Sequence, residues 1–212
     1  MFYLAKTPKW VSKLFGDSIW EMPGTNKTIY LTFDDGPHPQ ITPFVLDELD
    51  KFGAKATFFC IGKNVVEYPG IFKGIIDRGH AVGNHTHNHL NGWKTPNAKY
   101  LQNILEARNF IDSDLFRPPY GRITSKQKKL LMNLDEPFKV IMWSVLSGDF
   151  DINIAPEKCC KNVLDNTKSG SLIVFHDSEK AFERLRYALP VVLKYFSEKG
   201  YHFEKIVTKQ EV

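Results

Sequence analysis

The sequence predicts an α/β protein whose parallel strands curl into a (β/α) barrel of about seven units. Short apolar runs alternate with helical patterns along the chain, which favours parallel strands joined by right-handed crossovers. The length of 212 residues suits a single barrel domain. Ionisable residues also follow the ends of several predicted strands, where a barrel of this class carries its active site.

Seven runs rich in β-branched or aromatic residues predict the strands. They are Thr28–Phe33, Ala56–Cys60, His80–Gly83, Leu115–Phe116, Phe138–Trp143, Ser171–Phe175 and His202–Ile206. We expect residues 28–212 to form the domain and residues 1–27 to be an N-terminal extension packed on it.

Helix starts and ends are also readable. Thr42-Pro43 and Thr95-Pro96 each place a capping residue before a proline at the first helical position. A later helix has an apolar face and should end at Gly200, whereas Pro190 should kink or split it. That face consists of Leu185, Leu189, Val192, Leu193 and Phe196.

Composition excludes several classes of protein. Hydrophobic residues make up 42% and charged residues 25%, which is typical of a globular domain and not of a disordered, collagen-like or coiled-coil chain. No apolar run approaches the roughly 18–20 residues of a membrane span. The net charge is +4 with scattered Lys and Arg, so we expect no nucleic-acid partner. A monomer is favoured.

The first 20 residues lack an uninterrupted apolar core and a small-residue cleavage site, so cytoplasmic localisation is expected. An amphipathic cap on the domain is favoured over a membrane anchor for this segment. The cysteines are Cys60 and the adjacent Cys159 and Cys160, which do not form a disulfide framework. We expect reduced thiols that are mostly structural; exposure of the adjacent pair on a polar helix stays open.

Chemically competent residues follow the predicted strands, and the carboxyl ends of barrel strands meet at one rim. They are Asp34, Asp35, His85, His89, Arg117, Asp149, His176 and Asp177. Neighbouring side chains past a strand end point apart, so one aspartate of the first pair can bind a metal while the other faces a substrate. Taken alone, this pair could equally cap a turn.

His85 and His89 are four residues apart, which places them on one face of a helical turn at a metal-ligand spacing. Two histidines and one carboxylate leave a coordination position open for water, as in catalytic sites. We interpret His87 as non-ligating. His38 and His80 are interpreted as structural or surface residues.

Arg117 precedes two prolines, which fix the backbone. It could orient a carboxylate through a bidentate pair or be a surface arginine. His176 ends an apolar run, where it could be a general acid or a satisfied structural histidine.

Four motifs together resemble a known family. They are Thr-Phe-Asp-Asp-Gly at Thr32–Gly36, His-Thr-His-Asn-His at His85–His89, Arg-Pro-Pro-Tyr-Gly at Arg117–Gly121, and Val-Phe-His at Val174–His176. The chain is identified by them as a member of the polysaccharide deacetylases of carbohydrate esterase family 4, which share the NodB homology domain.

The resemblance implies a NodB-like, distorted (β/α) barrel of about seven units and a role for each residue. The metal ligands would be Asp35, His85 and His89, with Zn²⁺ as the expected ion and Co²⁺, Ni²⁺ or Mn²⁺ as alternatives. The catalytic residues would be Asp34 as base, His176 as acid, Arg117 orienting the base, Asp149 orienting the acid, and Tyr120 binding the oxyanion through its backbone N–H. The substrate pocket would include Pro119, Phe150 and Val174.

The fourth motif departs from the family pattern of Asp-Trp with an earlier aspartate. Asp149-Phe150 stands in its place, and Leu146 occupies the earlier acidic position. Val174 replaces the more usual leucine beside the acetyl pocket. These departures imply retained catalysis with altered substrate contacts.

The resemblance therefore implies a metal-dependent hydrolase that removes N-acetyl groups from a glycan partner of the GlcNAc type, such as peptidoglycan or chitooligosaccharide. Three alternatives stay open: an O-acetyl esterase acting on a glycan such as xylan, a small-amide hydrolase of the same fold, and a non-catalytic glycan-binding domain. The intact motif residues argue against the last.

Overall fold

The computed structural model describes residues 3–24 and 26–207. The strands are β1 Thr28–Asp34, β2 Ala56–Cys60, β3 Ala81–Asn84, β4 Leu115–Phe116, β5 Lys139–Val140, β6 Val145–Leu146, β7 Leu172–His176 and β8 His202–Phe203. The α-helices are α1 Lys9–Leu14, α2 Ile41–Asp50, α3 Gly62–Glu67, α4 Pro69–Asp77, α5 Asn97–Arg108, α6 Ser125–Met132, α7 Pro156–Asn166 and α8 Phe182–Glu198.

The strands form one curled parallel sheet in the order β5-β4-β3-β2-β1-β7-β6, with β8 beside the start of β1. The predicted α/β class and distorted barrel are confirmed. The runs Ala56–Cys60 and Leu115–Phe116 match their strands, and three others are offset by one residue at one or both ends. The last predicted run is wrong in length, because only His202–Phe203 pairs.

The predicted strand Phe138–Trp143 is wrong in extent. Only Lys139–Val140 forms a strand, and the chain then enters the unpredicted strand β6. The two end strands β5 and β6 are bridged by the N-terminal segment, residues 3–22. Ile19 donates to Val140 O and accepts from the Met142 N–H, at 2.8 and 2.7 Å. On the other side, Ala5 O accepts from the Leu146 N–H at 2.8 Å. This segment therefore covers the open edge of the barrel.

Two of the predicted helix caps are wrong. Helix α2 begins at Ile41, and His38 Nδ1 accepts from the N–H groups of Gln40 and Ile41 in place of a Thr42 cap. Helix α5 begins at Asn97, one residue later than predicted, because Pro96 occupies the capping position with an extended ψ.

Helix α8 runs without interruption through Pro190, so the expected split does not occur. All five residues of the predicted apolar face are buried, and their continuous contact with the core holds the helix together. The helix ends as predicted before Gly200, whose φ of 73° favours glycine.

The main core lies between the sheet and helices α2, α7 and α8. Phe33 of β1 stacks between Phe58 and Phe175 of the two neighbouring strands, with ring centroids 5.0 and 6.1 Å away. Cys159 and Cys160 are free thiols buried in this core on the inner face of α7, so the adjacent pair is not exposed. No helix within the described ranges is both long and apolar enough to span a membrane.

Candidate metal centre and active site

Three predicted metal ligands meet at the carboxyl end of the sheet. One potential ligand atom each from Asp35, His85 and His89 lies within 4.8 Å of the others. Asp35 Oδ1 is 3.2 Å from His89 Nε2 and 3.7 Å from His85 Nε2. Asp35 follows β1, whereas the histidines follow β3, so the parallel sheet brings them together across one intervening strand.

The donor atoms of these residues suit a cation. Asp35 Oδ1 is buried and has no hydrogen-bond partner among the described residues, a costly arrangement unless a ligand satisfies it. His85 Nδ1 lies 2.8 Å from Arg117 O, which can only accept, so Nδ1 carries the proton. The Nε2 lone pair of His85 is then directed at the same point as the carboxylate, as in metal-bound histidines.

Electrostatics favour a neutral imidazole beside an ionised carboxylate. Burial lowers the pKa of His85 to about 4. Burial opposes the ionisation of Asp35, but the neighbouring imidazoles, led by His89, outweigh it and hold the pKa of Asp35 well below its usual range. Both groups are therefore in the protonation state that binds a metal.

The helical turn predicted for the two histidines is wrong. Residues 85–89 form a loop in which Thr86 and His89 have φ values of 64° and 54°. His87 lies outside the cluster, as predicted, with its Nε2 3.4 Å from Glu106 Oε1. The spacing predicted that the two histidines lie close together, but a loop with positive φ values, not a helical turn, brings their side chains to Asp35.

Asp34 and Arg117 form a buried ion pair next to the candidate metal ligands. Arg117 Nη1 donates to Asp34 Oδ1 at 2.7 Å, and the two side chains are 0% and 5% exposed. The pair has a single hydrogen bond and is not bidentate, because the other guanidinium nitrogens donate to backbone carbonyls. Nη2 donates to Met142 O at 2.8 Å and Nε donates to Ile141 O at 3.3 Å. Every nitrogen of the guanidinium thus has an acceptor, which fixes Asp34 in place.

His176 and Asp149 form the second charged pair. The Asp149 carboxylate is fully buried and accepts from His176 Nδ1 and from the His176 backbone N–H, both at 2.7 Å. Burial alone would lower the pKa of His176, but the charge and hydrogen bond of Asp149 reverse the effect and raise that pKa to about 10. The imidazole is therefore protonated at neutral pH, with Nε2 directed away from Asp149.

Tyr120 borders both the metal centre and a neighbouring cavity of about 440 Å³. Its φ is 61°, and its ring centroid lies 4.7 Å from that of His89. Most of the cavity wall is apolar, with Trp93, Trp143 and Leu146 among its residues.

The predicted pocket residues have different positions. Pro119 and Val174 are buried, the latter only 1% exposed, and Phe150 packs edge-on against His176 with centroids 5.3 Å apart. None of these three side chains lines the cavity. Leu146, at the position where the family has an aspartate, does line it.

Sequence reasoning missed the contribution of the N-terminal segment to this region. Tyr3, Leu4, Thr7 and Trp20 line the cavity, and Tyr3 packs on Phe150 with centroids 5.1 Å apart. No motif marks these positions, and only the folded chain brings them to the strand ends.

Comparisons with known proteins identify the family of the chain. The model of the family "Polysaccharide deacetylase" matches residues 21–136. The chain is 35% identical over 190 residues to a peptidoglycan-N-acetylglucosamine deacetylase of Bacillus cereus, covering 87% of this chain and 88% of that protein. It is 35% identical over 161 residues to a chitooligosaccharide deacetylase of Azorhizobium caulinodans, covering 71% and 73%.

A similar solved structure is that of a peptidoglycan N-acetylglucosamine deacetylase in complex with 4-naphthalen-1-yl-N-oxidanyl-benzamide. It has a TM-score of 0.84 and 31% identity, covering 94% of this chain and 95% of that one. The chain belongs to the polysaccharide deacetylases, the hydrolases of carbohydrate esterase family 4 that share the NodB homology domain.

Proposed function

We propose that this protein is a zinc-dependent hydrolase that removes N-acetyl groups from GlcNAc-type glycans, with peptidoglycan fragments and chitooligosaccharides as its substrate class. The observation that carries the proposal is the convergence of three groups at one end of the sheet. They are the candidate ligand cluster Asp35, His85 and His89, the buried pair Asp34–Arg117, and the pair of His176 with the buried Asp149.

Asp35, His85 and His89 would hold the cation. Two imidazoles and one carboxylate suit Zn²⁺ and leave coordination positions free, which is typical of catalytic zinc. When bound, such an ion supplies Lewis-acid stabilisation of negative charge developing on a carbonyl oxygen. Co²⁺, Ni²⁺ and Mn²⁺ have overlapping ligand preferences, so the metal has to be identified experimentally.

Asp34 is the proposed general base. Its Oδ1 is engaged by Arg117, so Oδ2 is the oxygen that takes a proton from the attacking water. Asp34 and Asp35 are adjacent, so the base lies beside the metal ligand without being one itself. The backbone N–H of Tyr120 is the proposed donor to the oxyanion of the tetrahedral intermediate.

His176 is the proposed general acid. Asp149 accepts from Nδ1, so Nε2 carries the proton that passes to the departing amine. The C–N bond of the acetamide breaks as the proton arrives, giving acetate and a free amino sugar. The buried Asp149 keeps this imidazole protonated, so that a proton is available for the leaving amine.

The cavity supports a sugar polymer as substrate. It begins at Tyr120 beside the metal ligands and continues to Trp93, whose side chain remains 63% exposed. Aromatic faces of this kind bury the apolar faces of sugar rings. The names of the two relatives, a peptidoglycan and a chitooligosaccharide deacetylase, support the same substrate class.

Acetate release tests the proposal. Zinc-loaded protein would be incubated with chitooligosaccharides and with peptidoglycan fragments, and a chelator-treated sample would serve as control. We expect chelator-sensitive acetate release from at least one of the two glycans. Release from acetylxylan alone would replace the proposal by an O-acetyl esterase. Bound zinc without release from any of the three would refute a glycan deacetylase.

A further inference from the structure

Asp177 is a buried carboxylate that the proposed reaction does not use. It follows β7 directly and is 1% exposed, at the same end of the sheet as the metal ligands. Both of its carboxylate oxygens are engaged: Oδ1 accepts from the Gly36 N–H at 3.0 Å and Oδ2 from the Thr42 hydroxyl at 2.5 Å. Its own N–H donates to Asp34 O at 3.0 Å.

These contacts hold the loop that carries the metal ligand. Asp35 lies between Asp34, which Asp177 contacts through its backbone, and Gly36, which Asp177 contacts through its side chain. A Cβ at Gly36 would collide with the Asp177 carboxylate, so any other residue here would displace that carboxylate from its present contacts. On the other side, Asn64 Nδ2 donates to Asp35 O at 2.8 Å.

The Asp35 backbone needs such support. Its φ of 82° lies in the left-handed region, which costs a residue with a side chain of the order of 1–3 kcal/mol. Conformations of this kind persist only where the surrounding structure holds them in place. The hydrogen bonds that Asp177 and Asn64 form with the peptide groups on either side of Asp35 provide that restraint.

The restraint extends to helix α2. The Thr42 hydroxyl donates to Asp177 and accepts from the His38 N–H at 2.7 Å. The His38 ring in turn accepts from the first N–H groups of the helix. The loop is therefore tied to a rigid element packed on the core, and each polar atom in this chain of contacts is satisfied.

We propose that Asp177 is a positioning residue for metal binding, whose carboxylate holds the Asp35 backbone in the conformation that aims the Asp35 side chain at the two histidines. Thr42 acts through Asp177 by fixing the orientation of that carboxylate. The inference rests on the metal site of the proposed function and adds two residues on which the affinity for zinc depends. Supporting residues around metal ligands typically change metal affinity by about 10–100-fold when they are replaced.

The test is a zinc titration in competition with a chromophoric chelator, without substrate. Asp177→Asn keeps the shape of the side chain but removes one acceptor, and we expect its dissociation constant for zinc to rise by about tenfold or more. Thr42→Val should also weaken zinc binding, whereas Thr42→Ser should restore it by keeping the hydroxyl. The Thr42 pair keeps the inference falsifiable if Asp177→Asn fails to fold.

Thr57→Val is the matched control for Thr42→Val. Thr57 is equally buried, and its hydroxyl accepts from the Ile206 N–H at 2.9 Å, away from the metal ligands. Both threonine variants should lower the thermal stability of chelated protein, but only Thr42→Val should weaken zinc binding. Zinc affinity within about twofold of wild type in Asp177→Asn or Thr42→Val would overturn the positioning role.

Zinc binding and acetate release are measured separately, so the two proposals fail in different ways. A wild-type protein that binds zinc but releases no acetate would refute the deacetylase and not the role of Asp177. Equal zinc affinity in the Thr42→Val and Thr42→Ser variants would refute the role of the hydroxyl and leave the deacetylase intact.

Discussion

Arg117 donates a 2.7 Å hydrogen bond to Asp34 in a part of the molecule where the two side chains are 0% and 5% exposed. Arg117 Nη1 also donates to Thr32 Oγ1 at 2.6 Å, and its guanidinium carbon lies 4.1 Å from the centre of the Phe59 ring. The arginine thus links the end of β4 to β1, and it also fixes the orientation of the proposed base Asp34. A buried pair of this kind is costly to break, because the carboxylate that remains stays buried without the arginine that contacts it directly.

Replacing Arg117 by alanine should therefore destabilise the protein as well as inactivate it. We expect the free energy of unfolding to fall by about 3–5 kcal/mol, the usual cost of breaking a buried ion pair. For a chain of this size that lowers Tm by roughly 6–20 °C. Thermal unfolding of chelated protein measures the effect, and a loss below about 1 kcal/mol would contradict the structural role of the pair.

Asp34→Asn should separate catalysis from metal binding. The amide cannot take a proton from water, so we expect kcat to fall by at least about 100-fold. Zinc content should stay at the wild-type level, because Asp34 is not part of the ligand cluster. Acetate release and metal analysis on the same sample check both statements, and a wild-type rate would rule out Asp34 as the base.

Zinc should stabilise the folded protein through its ligands. A ligand at about 100 times its dissociation constant raises the free energy of unfolding by about 2.7 kcal/mol, which corresponds to a Tm increase of roughly 5–11 °C here. Asp35→Ala should abolish that increase. His89→Ala should abolish it as well, and His87→Ala is the matched control, since His87 lies in the same loop as His89 but outside the cluster and should retain the increase. The opposite pattern would contradict the ligand assignment.

The pH dependence should depend on Asp149. Its charge and hydrogen bond raise the pKa of His176 to about 10, so the proposed acid stays protonated through neutral pH and activity declines only at alkaline pH. Asp149→Asn removes that charge and should move the alkaline limb of the kcat/KM profile to lower pH. An unchanged alkaline limb would mean that the pKa of another group determines the loss of activity at high pH.

The His176–Asp149 pair also makes the stability of the folded protein depend on pH. The folded-state pKa of His176 lies above its ordinary value of 6.5, so its contribution is fully present below that pH and is lost as pH rises toward about 10. Chelated Asp149→Asn protein should lose less stability over this range than wild type. Thermal unfolding at a series of pH values measures the difference.

Tyr3 should influence the reaction from the N-terminal segment. It packs on Phe150, which in turn packs on His176, and aromatic pairs contribute about 0.5–1.5 kcal/mol. Tyr3→Ala should lower kcat/KM by about 2- to 12-fold, the same energy expressed as a rate. Tyr3→Phe should retain activity. Trp10→Ala, on the same segment but 67% exposed and outside the cavity, should have no effect.

The strands and most of the site could be predicted from sequence because each depends on local pattern. Continuous apolar runs correctly predicted the positions of β1, β2, β4 and β7, and the residues directly after β1 and β3 contain all three members of the ligand cluster. Prediction failed where local preference competes with distant contacts. Pro190 predicted a break, but the buried face of α8 keeps the helix continuous.

The sequence by itself determined the α/β class, the order of most elements and the identity of the metal-ligand candidates, because periodicity, residue type and motif are local properties of the chain. Only the tertiary structure showed that Arg117 bonds Asp34 through a single nitrogen, and that Asp177 holds the loop around Asp35. It also showed that the N-terminal segment covers the open edge of the barrel. These relationships join residues that are up to 141 positions apart, and no local preference encodes which distant groups will meet once the sheet curls.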